Sequence, residues 1–156
     1  MANGVPPGPE VLFYHLERAT LEAVLPKLLE RTLERGQRAV VQTGSDERLQ
    51  ALDAHLWVYE ENAFLPHGTQ RDGASDRQPI YLTTGDETPN SAAVRFLVDG
   101  ANAASFDGLA RAVFLFDGND PDALAKARAD WKRVKSKGLA ATYWQQDDDG
   151  KWLKKA

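Results

Sequence analysis

Short apolar runs separated by segments of helical periodicity limit most strongly what this chain can fold into. Each run is of strand length, and the runs cover residues 11–15, 38–42, 80–83, 92–98, 112–116 and 139–145. Strands that alternate with helices along a chain form mainly parallel sheets covered on both faces. The pattern predicts an α/β fold: a three-layer α/β/α sandwich with a mainly parallel, mixed sheet and a topology like that of nucleotide-binding folds.

Three helices are expected between these strands. Thr20 can cap the first, and Pro26 inside it marks a kink or a later start. Ser45 opens a second helix that ends at Trp57. The polar segment 68–78 contains two glycines and is predicted to be flexible.

Composition indicates one globular domain. The chain has 156 residues, a net charge of −4 and no cysteine, so disulfides and thiolate catalysis are excluded and a cytoplasmic setting is expected. Residues 1–9 are interpreted as a flexible lead-in without the features of a secretory signal, and residues 10–156 as the domain. No apolar run is long enough to cross a bilayer. The acidic total disfavours tight non-specific binding of duplex DNA.

Motifs for catalysis or phosphate binding are absent from the sequence. It contains no G-x-G-x-x-G, no P-loop and no G-x-S-x-G. The strand exits at Thr43 and Thr84 are each followed by acids, which cap amides and repel phosphate. The histidines lack metal-ligand spacing, and the acids at 147–149 are typical of a turn. We expect no enzyme activity, metal or cofactor; the alternative is a small nucleotide- or anion-binding protein that uses these strand exits.

Residues 120–138 predict a basic amphipathic helix, capped by Asp120 and ended by Gly138. Residues 126–137 include six basic residues and one acid, Asp130. At 100° per residue, an apolar stripe has a basic flank on one side. The stripe is Leu124, Ala127, Trp131 and Val134, and the flank is Arg128, Lys132 and Lys135. Two readings are open: a core helix with a solvated face, or a site for an acidic peptide that ends in a bulky apolar residue.

Two segments resemble the chi subunit of bacterial DNA polymerase III. In segment 53–68, a helix ends in Leu-Trp at 56–57, acids follow at 60–61, and Phe-Leu-Pro-His occupies 64–67. Segment 127–138 carries the family's basic helix, with Ala-Arg-x-x-aromatic-Lys and a final glycine. The likeness covers about residues 10–145.

The resemblance implies a non-catalytic adaptor in DNA replication. Chi-like proteins link the clamp loader to the single-stranded DNA-binding protein by gripping its acidic C-terminal tail, so contact with DNA is indirect. Arg128, Trp131 and Lys132 match the family's tail-binding positions. Leu124 stands where the family has a further basic residue, and Lys126 faces elsewhere. Lys135 extends the flank, and Phe116 is expected to line the pocket.

The resemblance also implies a second surface, for the psi subunit or a helicase-like protein. Its residues here are Trp57, Phe64, Pro66 and His67. Without the resemblance, the same residues could form a small satellite of the core. A monomer or a heterodimer is expected. A rival hypothesis is direct binding of single-stranded DNA, with Trp131 and Trp144 as stacking platforms.

Overall fold

A computed structural model describes residues 8–60 and 65–156 of the chain. Within these residues, one mixed sheet contains eight strands. They are β1 (Glu10–Leu16), β2 (Ala39–Gln42), β3 (His67–Gly68), β4 (Ile80–Thr83), β5 (Val94–Leu97), β6 (Arg111–Asp117), β7 (Ala141–Gln146) and β8 (Trp152–Lys154). Their order across the sheet is β3-β4-β2-β5-β6-β1-β7-β8, and every pair is parallel except β7 with β8. The predicted α/β class with a mainly parallel, mixed sheet is confirmed.

Three α-helices in the described part of the chain cover the two faces of this sheet. They are α1 (Leu21–Glu34), α2 (Asp46–Val58) and α3 (Pro121–Ser136). One apolar cluster joins α1 and α2 to one face, and a second joins α3 to the other. Along β1 the side chains alternate accordingly: Leu16 packs in the first cluster, and Phe13 in the second.

Side-chain caps set where the first two helices begin. The backbone N–H of Ala23 donates to Thr20 Oγ1 at 3.2 Å, and that of Arg48 donates to Ser45 Oγ at 3.3 Å. Because α1 begins at Leu21, the later start considered for Pro26 is wrong. Pro26 instead lies buried inside the helix.

The segment 68–78, predicted to be flexible, has defined structure. It pairs with β4 through β3 and then forms two short 3-10 helices, Gln70–Asp72 and Ser75–Arg77. Thr69 is buried, and it exchanges backbone and side-chain hydrogen bonds with Asp72 in a capping box. The glycines and polar residues therefore encode turns here rather than mobility.

Across residues 8–60 and 65–156, no helix combines the length and the apolar character needed to cross a membrane.

The predicted turn at 147–150 returns the chain as β8. The backbone N–H of Asp149 and that of Lys151 both donate to Asp147 Oδ1 at 2.9 Å, which fixes this hairpin.

Candidate functional site

Helix α3 lies over β1, β6 and β7 with one apolar side against the sheet. Asp120 Oδ1 accepts a hydrogen bond from the backbone N–H of Asp122 at 3.0 Å, and Pro121 takes the first helical position. Val134 is fully buried and Ala127 nearly so. The stripe predicted from periodicity is therefore the packing side of α3, and its neighbouring flanks face outward.

One flank of α3 is neutralised by a buried acid. The side chain of Asp130 is 6% exposed; Lys126 Nζ lies 2.7 Å from its Oδ2, and Arg133 Nη2 lies 3.0 Å from its Oδ1. A buried carboxylate requires such partners because an unpaired buried charge is costly. Lys126 and Arg133 are thus committed to the protein's own structure.

The other flank carries cations that remain available. Arg128, Lys132 and Lys135 are exposed, and none forms an ion pair with any described residue of the chain. Lys135 Nζ lies 5.7 Å from the centre of the Trp131 ring, a cation–π distance. Three positive charges therefore lie beside a partly exposed indole.

The indole of Trp131 is fixed by two other aromatic rings. Its centroid lies 5.4 Å from Phe13 and 5.9 Å from Tyr143, both edge to face. Such pairs each contribute about 0.5–1.5 kcal/mol beyond the area that they bury. Trp131 therefore has a defined orientation while one part of its ring stays accessible.

Phe116 and Tyr143 extend this aromatic surface toward the carboxyl ends of β6 and β1. Their centroids lie 6.0 Å apart, and His15 packs on both, at 5.2 Å and 5.8 Å. His15 Nδ1 also lies 2.6 Å from Tyr143 Oη. Burial raises the pKa of Tyr143, a rise that the positive charge of Arg128 opposes, so the phenol is neutral near pH 7. We name the surface made by Trp131, Phe116, Tyr143 and the flank Arg128, Lys132 and Lys135 the α3 groove.

Hairpin β7–β8 adds one more apolar side chain beside the α3 groove. Leu153 pairs with Gln145, and paired residues point to the same side of a sheet. Gln145 shares that side with Tyr143, two residues earlier. Leu153 is 37% exposed, one of the large apolar side chains that the fold leaves accessible.

The sequence predicted the α3 flank, Trp131 and Phe116 as site residues, and it did not single out His15, Tyr143 and Leu153, which the structure places on the same side of the sheet. They come from β1, β7 and β8: His15 contacts Tyr143 across β1 and β7, and Leu153 lies on the same side of the sheet because β8 pairs with β7. Alternation within β7 places Tyr143 on the α3 side and Trp144 on the opposite side. Trp131 and Trp144, the two stacking platforms of the rival hypothesis, therefore lie on opposite faces of the sheet and do not form one surface.

The second predicted surface lies at the end of α2. Trp57 is 54% exposed and Val58 75% exposed. Trp57 packs on His67, whose ring centroid is 4.4 Å away. Pro66 is half-buried beside it, and Phe64 lies outside the described residues.

His67 itself is 5% exposed, so it supports Trp57 from below rather than adding much accessible surface. Its Nδ1 lies 2.6 Å from the carbonyl oxygen of Leu65, and its Nε2 lies 3.3 Å from Asp53 Oδ1. These contacts tie the segment that begins at Leu65 to α2.

The strand exits at Thr43 and Thr84 are occupied by the chain's own groups. Ser45 caps α2 after the first exit. After the second no helix follows: Glu87 Oε2 accepts from the hydroxyls of Thr83 at 2.6 Å and Tyr81 at 3.0 Å. The buried guanidinium of Arg95 donates to Gln42 Oε1, to the carbonyl oxygens of residues 85–87 and to Thr88 Oγ1. These exits therefore offer few free donors to an anion.

A cavity of about 700 Å³ lies at the carboxyl ends of β1 and β6. The connections from these neighbouring strands run in opposite directions on opposite faces, which is where open α/β sheets bind ligands. Seven acidic and three basic side chains among the described residues line it, and Arg48 is paired with Glu22 at 2.9 Å and Asp99 at 3.1 Å. The negative rim disfavours phosphate. No group of three or more His, Asp or Glu residues in the described ranges could hold a metal ion.

Comparison with known proteins decides the family. Residues 9–142, most of the chain, match the family model described as "DNA polymerase III chi subunit, HolC". The chain belongs to this chi subunit family. This confirms the resemblance to the chi subunit that segments 53–68 and 127–138 carry.

One curated relative of this chi-family chain comes from Rickettsia prowazekii (strain Madrid E) and is named "Probable DNA polymerase III subunit chi". The two are 28% identical over 91 residues, which are 58% of this chain and 55% of the relative. The chain thus spans about half the length of the curated relative that it matches.

Proposed function

We propose that the chain is a non-catalytic adaptor of the DNA polymerase III holoenzyme, with the α3 groove as the binding site for the acidic C-terminal tail of the single-stranded DNA-binding protein. The observation that carries the proposal is the division of charge on α3. Lys126 and Arg133 pair with Asp130, whereas the flank beside Trp131 has no acidic partner among the described residues.

The chemistry of the α3 groove fits such a tail at both ends. Carboxylates of the tail pair with Arg128, Lys132 and Lys135, which steer the peptide and fix its direction. The terminal apolar side chain packs between Trp131 and Phe116, where aromatic anchors give most of the binding energy. Tyr143 remains neutral and so adds no repulsion.

A peptide titration tests this function. The intact chain is titrated by calorimetry with an acidic peptide that ends in Pro-Phe, and with the same peptide ending in Pro-Ala. We expect the Phe peptide to bind at micromolar concentrations and to weaken as salt rises, because the paired charges are at the surface. We expect the Ala peptide to bind more weakly by about 1–3 kcal/mol. No heat of binding in low salt at tens of micromolar, or equal binding of both peptides, contradicts the proposal.

The exposed end of α2 supports the second half of the adaptor role, the link toward the clamp loader. Trp57 and Val58 are exposed apolar side chains at the end of α2, and exposed apolar patches mark protein interfaces. The partner proposed for this surface is the psi subunit or a helicase-like protein. The surface formed by Trp57 and Val58 lies on the α1 and α2 side of the sheet, away from the α3 groove. The tail and the second partner can therefore be bound together.

Simultaneous binding gives this second proposal its own test. The psi subunit or the helicase-like protein is captured in a pull-down in which the bait is the intact chain, Trp57→Ala or Arg128→Ala. We expect Trp57→Ala to abolish partner capture and keep tail binding, whereas Arg128→Ala should weaken tail binding and keep partner capture. Loss of both activities in either variant contradicts two separate sites.

A further inference from the structure

The half of the sheet formed by β1, β7 and β8 is incompletely covered on the side where α1 and α2 lie. Helix α1 packs mainly on β2 and β6, and α2 packs mainly on β3 and β4. Every residue of β7 is half-buried although α3 covers its other side. A surface therefore remains accessible here, on the side opposite the α3 groove.

Three aromatic side chains occupy this surface. Tyr14 and Trp144 are directly paired across β1 and β7, and their rings lie 6.4 Å apart at an angle of 18°. The ring of Trp152 lies 4.9 Å from Tyr14, almost perpendicular to it. Trp144 Nε1 donates to Thr142 Oγ1 at 2.9 Å, which holds the indole on this side. We name the surface made by Tyr14, Trp144 and Trp152 the open face.

Basic side chains border the open face on two sides. Lys154 pairs directly with Trp144 across β7 and β8, so the two point to the same side of the sheet. Arg31 and Arg35 are one turn apart on α1 and therefore lie side by side. Burial raises the pKa of the Tyr14 phenol, and the positive charges of Arg31 and Arg35 are among those that oppose this rise.

These bordering cations are not neutralised by the chain. Arg31, Arg35 and Lys154 are exposed and form no ion pair with residues in the described ranges. The acid Glu10 on this side of β1 is already paired with Arg111, at 2.9 Å. Three cations therefore border the open face without an ion-pair partner among the described residues, in a chain whose net charge is −4.

Aromatic rings flanked by unpaired cations recognise one class of polymer well. Nucleic acid bases stack on Trp and Tyr rings without regard to sequence, while Lys and Arg follow the phosphates. The rings of the open face offer stacking surfaces to bases, whereas an acidic tail with one apolar end needs a single pocket. In a duplex, each base is already stacked between its neighbours and must leave that stack to lie on a protein ring. Stacking on these rings therefore favours a single strand.

We propose that the open face is a binding site for single-stranded DNA, separate from the α3 groove. It lets the chain contact the strand directly while α3 binds a protein tail on the other side of the sheet. The proposal goes beyond the adaptor function and does not depend on it.

Fluorescence anisotropy of a labelled 15-nucleotide oligothymidylate, titrated with the full chain, tests the proposal. We expect binding in 20 mM salt with a dissociation constant below about 100 µM, within the range of non-specific contacts. Three phosphate contacts predict a log–log salt slope of about −2, or roughly a hundredfold loss between 20 and 200 mM salt. A blunt duplex of the same length is expected to bind at least several-fold more weakly.

Variants locate the contact on one face of the sheet. Arg31→Ala with Arg35→Ala is expected to lower oligonucleotide affinity about tenfold and to reduce the salt slope by roughly 1.4. Trp144→Leu is expected to lower it about fivefold or more through lost stacking. Lys132→Ala, on the exposed flank of α3, is the matched control and is expected to leave affinity within about twofold. The exposed arginines keep the test valid if Trp144→Leu fails to fold.

Four results overturn the proposal: no anisotropy change up to about 100 µM chain, equal binding of the duplex, equal loss in Lys132→Ala, or displacement of the oligonucleotide by the acidic tail peptide. The tail peptide is titrated into the same variants. Because Arg31 and Arg35 lie away from the α3 groove, peptide affinity is expected to be unchanged in their double variant. Failure of the open face therefore leaves the adaptor proposal standing, and the reverse also holds.

Discussion

The Nε2 atom of His55 lies 2.7 Å from the carbonyl oxygen of Glu22, across the contact between α1 and α2. This oxygen would normally accept from the backbone N–H four residues later, but that residue is Pro26, which has none. The imidazole N–H therefore replaces a missing helical hydrogen bond. It also explains how α1 tolerates proline in its interior.

This relationship predicts coupling between His55 and Pro26. His55→Ala leaves the carbonyl of Glu22 without its partner and is expected to lower the free energy of unfolding by about 1–3 kcal/mol. In a Pro26→Ala background the helix supplies its own N–H, so the same substitution should cost less than about 1 kcal/mol. Urea unfolding of the four proteins measures the coupling; equal costs in both backgrounds contradict it.

A second prediction concerns Gly118, which follows β6. A Cβ atom there would overlap the imidazole of His15, and the N–H of Gly118 donates to the carbonyl of Leu16 at 2.6 Å. Gly118→Ala is expected to destabilise the fold by about 1–3 kcal/mol and to move His15 away from Tyr143. His15→Ala should remove most of this penalty in the double variant. Thermal unfolding that shows no rescue contradicts the clash.

Substitutions of Tyr143 separate its hydroxyl from its ring. Tyr143→Phe loses the contact to His15 Nδ1 and should cost about 1 kcal/mol of stability while leaving tail affinity within about twofold. Tyr143→Ala also removes the ring against Trp131 and should weaken tail binding by about 1–3 kcal/mol. Peptide calorimetry on both variants decides; equal tail affinities would remove Tyr143 from the α3 groove.

The pH dependence of stability should depend on Glu87. Burial alone would raise the pKa of this carboxyl, but hydrogen bonds from Thr83 and Tyr81 outweigh it and lower the pKa below 4.5. A lowered folded-state pKa gives stability that is fully present above the unfolded-state value and is lost as the pH falls through the folded value.

Glu87→Gln is therefore expected to flatten the loss of stability between about pH 5 and pH 3. The same substitution at Glu34, exposed at the end of α1, is the control and should leave that slope closer to wild type. Urea unfolding at pH 7, 5, 4 and 3 measures both. If Glu87→Gln loses stability between pH 5 and pH 3 as steeply as the wild type, the hydrogen bonds from Thr83 and Tyr81 do not lower the pKa of Glu87.

Local features of the fold could be predicted from the sequence because they depend on neighbouring residues. The caps at Thr20, Ser45 and Asp120 and the strand at 80–83 follow from residue type and short-range pattern. The stripe of α3 follows from helical geometry. The pairing of Asp130 with Lys126 and Arg133 could also have been found, because i,i+3 and i,i+4 residues share a helix side.

Other features could not be predicted because they depend on strand order. His15 and Tyr143 are 128 residues apart and meet only because β1 lies between β6 and β7. Composition also gave a wrong prediction of flexibility at 68–78, where glycines and polar residues form capped turns. The partnership of His55 with the carbonyl left free by Pro26 likewise depends on how α1 packs on α2.

The charge division on α3 is the central claim, and one comparison tests it most directly. Arg128→Ala and Arg133→Ala remove the same side chain from opposite flanks of one helix, five residues apart. Calorimetry with the acidic Pro-Phe peptide should show affinity lowered by about 1–3 kcal/mol in Arg128→Ala and changed by less than about 0.5 kcal/mol in Arg133→Ala. Equal losses in the two variants, or a larger loss in Arg133→Ala, would contradict the account.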